Sequence, residues 1–324
     1  RDVLDPTPSA GNQMMDEQVN NDFDRARQKA LFREILSIFR REPNELIPYH
    51  EVRKRVSPEA ESYRGFQTVP IDKIVGSVDR FRDFDRAFLP RRGHTARRWK
   101  NIDRAYYQDV RLPPIQLYKV GDVYFVKDGN HRVSVARERG VEFIDAEVYE
   151  GHIRVPLYAS MSPTELLLQV EYAEFLRNTD LDRLRPEHDI RPTSLGRYDE
   201  IWDQILLHRE WLSEHCGREA STAEAVADWY DNMYLPIVRV VREQGVARRF
   251  PDRSEADMYL WVMAHRDELE HRYGHEVDPA ESATDYARAV KREARLSRRL
   301  SRATRGARHR VARVMHLPDG AEGA

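Results

Sequence analysis

The sequence has very little cysteine and no long apolar run. Cys216 is the single cysteine among 324 residues, so the chain cannot form an internal disulfide, and this fits a reducing compartment. No apolar stretch approaches the roughly 18 residues of a membrane-spanning helix. The first residues, RDVLDPTPSAGNQ, lack the apolar core of a signal peptide. Together with a mean hydropathy of −0.74, these absences predict a cytoplasmic protein without a membrane span.

The chain also has little net charge, but its charges are unevenly distributed. The formal net charge is −2, whereas residues 286–314 hold eleven lysines and arginines against one acid, Glu293, which leaves −12 for the rest. Residues 91–104, RRGHTARRWKNIDR, form a second basic segment. Basic segments of this kind bind nucleic acid through its phosphates. The alternative is that both are solvated surfaces. The predicted nucleic-acid contacts are Arg97, Arg98, Arg295, Arg298, Arg299 and Arg302.

The most informative stretch runs from Leu112 to Glu150. Two short runs alternate apolar and polar residues around Gly121-Asp122, which is typical of a β-hairpin. Residues 128–132, DGNHR, follow the second run and lead into apolar residues at helical spacing, and a third strand covers residues 143–148. A turn from a strand into a helix presents free backbone N–H groups, and the helix dipole there favours an anion. The sequence therefore predicts a phosphate site at this turn.

The residues of the turn have different candidate roles. Gly129 allows a tight turn and a close approach of the backbone to a ligand. Asn130, His131 and Arg132 complete the predicted phosphate-binding set, in which His131 and Arg132 supply donors and Arg132 can bind phosphate in a bidentate manner. Asp128 is an anion and suits a phosphate poorly, so its open roles are to orient His131, to accept the proton of a substrate hydroxyl, or to cap the helix. Asp128 and His131 are the candidate catalytic residues.

These residues resemble the nucleotide-binding domain of the ParB/sulfiredoxin type, in which a strand leads into a Gly-x-x-Arg turn and a short helix. Gly129-Asn130-His131-Arg132 is similar to the Gly-Cys-His-Arg turn of sulfiredoxins, with Asn130 in place of the cysteine. It is also similar to the Asp-Gly-His-(Thr or His)-Arg turn of small-molecule kinases on this fold. It matches the Gly-Glu-Arg-Arg turn of ParB proteins at Gly129 and Arg132. Residues 69–74 resemble the first ParB strand, and the resemblance covers residues 66–150.

The resemblance implies certain functions and disfavours others. Because the turn has no cysteine, it lacks the nucleophile of sulfiredoxin chemistry. Asn130 stands where ParB proteins carry glutamate, which argues against CTP hydrolysis by that route but not against binding. The implied cofactor is a nucleoside triphosphate, CTP or ATP, with Mg²⁺. Glu174 matches a ParB glutamate that helps to hold the metal, although Phe175 replaces the neighbouring asparagine. The alternative for Glu174 is an exposed position on an amphipathic helix.

The expected fold is α+β, with a small mixed β-sheet of the ParB/sulfiredoxin type, a helical N-terminal extension and an all-α C-terminal domain. Capping boxes at Ser162 and Ser221 predict helix starts, and Pro236 must kink or break the second of these helices. The predicted segments are a disordered leader (1–21), the extension (22–65), the nucleotide-binding domain (66–160), a helical domain (161–285) and a basic tail (286–324).

Three functions compete on these grounds. A nucleotide-responsive DNA-binding or regulatory protein of ParB type would use the turn as a switch and the tail to grip DNA. This is the favoured interpretation, and it is compatible with a homodimer. A small-molecule kinase using ATP or ADP, or a nucleotide hydrolase, would use Asp128 and His131 with Mg²⁺. The third possibility is a scaffold protein with a degenerate site. The carboxylates considered for the enzyme are Asp72, Asp79 and Glu174.

Overall fold

The computed structural model describes residues 10–40, 44–55 and 62–292. The chain divides into two compact units, Arg1–Asn178 and Thr179–Ala324. None of the helices in the described ranges is both long enough and apolar enough to span a bilayer. The predicted nucleic-acid contacts Arg295, Arg298, Arg299 and Arg302 lie outside the described residues.

A six-stranded mixed sheet forms the centre of the first unit. Its strands lie in the order β1-β3-β5-β4-β6-β2. The predicted hairpin is confirmed as the antiparallel pair β4 and β5, and β6 runs parallel to β4 on the other side. A mixed sheet combined with many helices confirms the α+β class. The strands are β1 (Ile47–Pro48), β2 (Ser62–Pro70), β3 (Ile74–Ser77), β4 (Ile115–Val120), β5 (Val123–Asp128) and β6 (Phe143–Gly151).

The described residues of the first unit also form five α-helices: α1 (Ala10–Arg40), α2 (Tyr49–Arg53), α3 (Ala96–Tyr107), α4 (Asn130–Glu138) and α5 (Pro163–Thr179). The prediction of a disordered leader is wrong for residues 10–21, which are helical, because Val19 is fully buried there. Helix α2 is short because it begins only after Pro48, which stands in extended backbone. A proline disfavours helical backbone in the residue before it, so the helix does not extend back through Ile47.

Helix α5 belongs to the first unit, although a domain boundary was expected before it at residue 161. The unit ends at Asn178. Two hydrogen bonds join the end of α5 to earlier segments: Arg177 Nη1 donates to the Arg55 carbonyl at 2.7 Å, and Arg154 Nη1 donates to the backbone carbonyl of Leu176 at 3.0 Å. These contacts are remote in sequence, so helical periodicity alone did not reveal them.

Helix α4 is packed on two sides. Val133 and Ala136 belong to the core cluster of the sheet, whereas Val135 belongs to a second cluster formed with α1 and α3. Trp99 of α3 is fully buried in that second cluster, and its Nε1 donates to the Ser134 hydroxyl at 2.9 Å. The ring of Phe23 from α1 lies 5.5 Å from the Trp99 ring. This arrangement fixes α4 between the sheet and the α1–α3 pair.

The second unit contains helices and no strand within residues 179–292. The predicted capping box is confirmed at Ser221, and another occurs at Ser254. A single π-helical turn, Tyr230–Tyr234, joins α8 to α9, and Pro236 lies in the first turn of α9, where the helix needs no N–H from it. The helices are α6 (Leu181–Leu184), α7 (Arg197–Cys216), α8 (Thr222–Trp229), α9 (Leu235–Glu243), α10 (Glu255–Tyr273) and residues 279–292.

The bond between Trp99 and Ser134 gives a stability prediction. We expect Ser134→Ala to lower the free energy of unfolding by roughly 1–3 kcal/mol, because the indole N–H would be left buried without an acceptor. Urea denaturation followed by tryptophan fluorescence measures this. Ser37→Ala is the control, since that hydroxyl bonds the Glu34 carbonyl of its own helix, and we expect a change within about 0.5 kcal/mol. Equal losses in the two variants would contradict the assignment.

Candidate functional site

The turn between β5 and α4 has the backbone that the sequence predicts. Gly129 has φ +107° and ψ 20°, and helix α4 begins at the next residue. A Cβ at this position would lie 2.4 Å from Cγ2 of Ile115, so only glycine fits. The Val133 N–H donates to the Gly129 carbonyl at 3.0 Å. The N–H groups of residues 130–132 precede this first helical bond and have no partner within the helix.

A cavity of about 330 Å³ opens beside this turn. Its volume lies near the lower end of the roughly 300–1,000 Å³ found for small-molecule sites. Three segments form it: the turn, helix α3 and the loop that follows β3. The lining residues are Arg80, Arg98, Asn101, Ile102, Asp128, Gly129, Asn130, His131 and Arg132. The predicted nucleotide-binding residues therefore lie together, and Arg98 joins them.

Arg98 is the cation with the most freedom in this cavity. It is exposed and makes no hydrogen bond or ion pair with any residue in the described ranges. Asn101 and Ile102 lie three and four residues further along α3, on the same face of the helix. Arg97 is also exposed, but it does not line the cavity. Arg80 is partly engaged, because its Nη1 donates to Asp83 Oδ2 at 3.0 Å.

Arg132 is held by the protein itself. Its Nη1 donates to the carbonyls of Pro113 and Pro114, the latter at 2.8 Å, and its Nη2 donates to Asp128 Oδ2 at 2.5 Å. The guanidinium therefore fastens the segment before β4 to the start of α4. Within the described part of the chain, the Asp128 carboxylate bonds Arg132 and neither caps the helix nor contacts His131.

Asn130 and His131 contribute buried polar atoms without partners. Both side chains are buried, and Asn130 Oδ1 and His131 Nδ1 find no hydrogen-bond partner among the described residues. Burial lowers the pKa of His131 to about 4, and the nearby charges of Arg80 and Arg98 act in the same direction. The imidazole is therefore neutral at pH 7. Its ring meets Phe84 edge-on at 5.2 Å.

The carboxylates considered as metal ligands lie elsewhere. Glu174 does not line the cavity, and its oxygens accept hydrogen bonds from Arg55 Nη1 at 2.7 Å and Arg177 Nη2 at 3.2 Å. A metal could bind Glu174 only if these ion pairs opened. Asp72 and Asp79 are exposed and do not line the cavity either. Across residues 10–40, 44–55 and 62–292, no group of three or more His, Cys, Asp or Glu side chains is placed to hold a metal ion.

A larger cavity of about 790 Å³ lies near the other end of α4, and Asp72 lines it. Its two cations are already engaged. Lys29 Nζ lies 2.6 Å from Glu138 Oε1, and Arg137 Nη2 donates to the carbonyls of Ile71 and Ile74, each at 2.7 Å. The smaller cavity is therefore the better candidate for an anion, because it combines an unengaged arginine with the start of a helix.

Sequence reasoning missed some residues of this cavity. Arg80 comes from the loop that follows β3, and no local sequence pattern links it to the turn. Asn101 and Ile102 were recoverable in principle from their helical spacing to Arg98. Comparison with known proteins adds no residue, since no family model and no curated protein matches the chain.

The lowered pKa of His131 gives a prediction for stability against pH. The unfolded chain, with an ordinary histidine pKa of about 6.5, binds a proton between pH 6.5 and 4 that the folded protein excludes. The stability of the folded protein should therefore fall as the pH drops through that window. We expect His131→Gln to reduce this loss, by at most about 3 kcal/mol.

Urea denaturation of both proteins at pH 7 and pH 4.5 measures the difference, and the other titrating groups cancel in the comparison. Arg80, Arg98 and His94 lower the pKa of His131, whereas Asp83 raises it, so these four residues stay unchanged in both proteins. An identical pH dependence for the two proteins would contradict the buried, neutral imidazole.

Proposed function

We propose that the first unit binds the phosphate of a nucleotide in the cavity between α3 and the turn 128–132, and that the chain is a nucleotide-responsive DNA-binding or regulatory protein. One observation carries the proposal. Arg98, whose guanidinium has no hydrogen-bond or ion-pair partner among the described residues, lines the same cavity as Asn130 and His131, which carry the buried unpartnered atoms Oδ1 and Nδ1, at the start of a helix.

The energetics of these groups support a bound anion. A buried polar atom without a partner costs roughly 1–3 kcal/mol, and native structures retain few such atoms unless a ligand or water completes them. A phosphate can complete an N–H of His131, whereas Asn130 Oδ1 is an acceptor and needs a donor such as water. A phosphate offers several acceptor oxygens to Arg98, to the helix N–H groups and to an N–H of His131. The neutral imidazole donates one hydrogen bond without adding a buried charge.

The lining residues fit a phosphate better than a metal ion. Among the described residues Asp128 is the single carboxylate that lines the cavity, and it is already bonded to Arg132. When bound, Mg²⁺ would shield the charge of the phosphates, and it would enter with the nucleotide. The proposed ligands are CTP or ATP, as the resemblance to ParB-type domains implies. The cavity volume suits a phosphate with part of its nucleoside.

Arg98→Ala tests the site. We expect about a ten- to hundredfold loss of nucleotide affinity, because a charge-assisted hydrogen bond contributes roughly 1.5–3 kcal/mol. Arg97→Ala is the matched control: it is the adjacent arginine on the same helix, also exposed, and it does not line the cavity. Calorimetric titration of CTP, ATP, ADP and GTP, with and without Mg²⁺, measures both variants against the wild type.

The outcomes separate the competing functions. Equal affinities for wild type and Arg98→Ala, on folded protein, would remove the cavity from consideration. Release of product during the titrations, such as inorganic phosphate or a phosphorylated small molecule, would favour the kinase or hydrolase. Binding of none of the nucleotides would leave the scaffold interpretation.

The basic tail gives a separate test of the DNA-binding proposal. Residues 295–313 contain eight arginines and no acid. If about half of them neutralise phosphates, the logarithm of duplex affinity should fall with the logarithm of salt concentration with a slope near −4, since each contact contributes about −0.9. Fluorescence anisotropy with a random labelled duplex measures this slope.

The control for that experiment is a chain ending at Arg292. This end keeps the helical residues 279–292, whose Ala283 and Ala287 are buried and whose Lys291 donates to Gln244 Oε1 at 2.6 Å. We expect the truncated chain to lose duplex binding and to keep nucleotide binding.

A regulatory protein also requires nucleotide and DNA to change each other's affinity by the same factor. If the full chain binds no duplex at about 50 mM salt, where such contacts are strong, the DNA-binding proposal fails.

A further inference from the structure

The chain already provides an anion to one arginine of the cavity. The Asp128 carboxylate accepts a hydrogen bond from Nη2 of Arg132, and the carbonyls of Pro113 and Pro114 accept hydrogen bonds from Nη1. The two partners differ in exposure: the side chain of Arg132 is 13% exposed and that of Asp128 is 69% exposed. The guanidinium is thus fixed by the proline carbonyls, whereas its acidic partner can leave for solvent without rearrangement of the core.

The charges of the lining residues indicate which ligand suits the site. Three arginines line the cavity together with one carboxylate, which leaves a formal charge of +2. Arg80 is further balanced by Asp83, which lies outside the lining set. A terminal phosphate carries about −1.5 to −2 at pH 7. It matches the lining charge, and it has more oxygens than a carboxylate with which to engage Arg98, Arg132 and the helix N–H groups together.

We propose that Asp128 is an internal competitor for Arg132, and that the cavity selects ligands ending in a dianionic phosphate, which displaces Asp128 from Nη2. This proposal rests on the proposed function, because it concerns the same cavity. The bonds from Nη1 to the proline carbonyls hold the guanidinium in place before the ligand arrives, so little ordering is required on binding. Asp128 thereby acts on specificity and affinity rather than on a chemical step.

The exchange is feasible because the Asp128 end of the ion pair is exposed to solvent. Ion pairs at the surface contribute little to stability, since water and salt screen the charge. After displacement the carboxylate is hydrated, and the phosphate gains a charge-assisted contact with an arginine that is already oriented. A carboxylate ligand with one negative charge would do no better than Asp128 itself, and the site therefore discriminates against such ligands.

The test is the affinity of Asp128→Asn for ATP and CTP, each with Mg²⁺, and for inorganic phosphate. We expect an increase of about fivefold, the equivalent of one exposed ion pair that no longer has to be broken. Asp122→Asn is the matched control. Asp122 lies in the turn before β5, is half-exposed and is paired with Lys73 at 2.6 Å, so the substitution removes the same charge and also breaks an ion pair. Its affinities should equal those of the wild type.

A double-mutant cycle separates competition from a general effect of charge. In an Arg132→Gln background, Asp128→Asn should no longer improve binding, because the arginine for which Asp128 competes is absent. If the fivefold gain in affinity persists in that background, Asp128 acts only through the electrostatic field of its charge, and the proposal is overturned. If Arg132→Gln does not fold, as judged by circular dichroism, Arg132→Lys supplies the background, since lysine cannot reproduce the contacts of Arg132 with both the carbonyls and the phosphate.

The remaining outcomes distinguish this proposal from the proposed function. If neither the wild type nor Asp128→Asn binds any of the three probes, the proposed function fails and this proposal fails with it. If the wild type binds and Arg98→Ala weakens binding, while Asp128→Asn leaves affinity unchanged, the cavity is a phosphate site and the competition alone is refuted.

Discussion

The burial of α4 between the sheet and the α1–α3 pair is the constraint on which the rest of the first unit depends. Val133 and Ala136 pack into the core of the sheet, and Val135 packs against the cluster around Trp99. The Trp99–Ser134 hydrogen bond sets how α3 lies against α4. The position of Arg98 beside the start of α4 is therefore a consequence of core packing one residue away. Trp99 is fully buried against α4, and this holds the neighbouring Arg98 at the edge of the cavity although its own side chain is exposed.

The cavity brings together polar groups that have no partner among the described residues. Some arginines elsewhere in the first unit are closely paired, as Arg139 is with Asp103 at 2.7 Å and Arg33 with Asp85 at 3.0 Å, whereas others, such as Arg82 and Arg111, form no ion pair within the described ranges. What distinguishes the cavity is that the unpaired Arg98 lies beside Asn130 and His131, each of which has a buried polar atom without a partner in the described part of the chain. Such local exceptions to good pairing concentrate at functional sites, where the cost is offset by stability elsewhere in the fold. Here the well-packed sheet and helices provide that stability.

The sequence predicted the local features of the site better than its tertiary ones. Alternation, a Gly-Asp turn and the Gly129 step from strand into helix are short-range signals, and the structure has all three. The capping box at Ser221 is local in the same way. The start of α1, the attachment of α5 and the contribution of Arg80 depend on packing between segments far apart in the chain. The role of Arg132 follows the same rule, because its proline partners lie nearly twenty residues earlier and no periodicity connects them.

The geometry also bears on the choice between binding and catalysis. A general base works best when its pKa lies near the operating pH, and burial places the pKa of His131 at about 4. Asp128 is bonded to a fixed arginine and has no contact with His131 within the described residues. A proton relay between these two residues would therefore need a change in the surroundings of His131 and a new contact between the pair. The same features suit a binding site, since a neutral imidazole donates a hydrogen bond and a displaceable carboxylate gives way to a stronger anion. These properties are the physical basis for proposing that the turn holds a phosphate rather than transfers one.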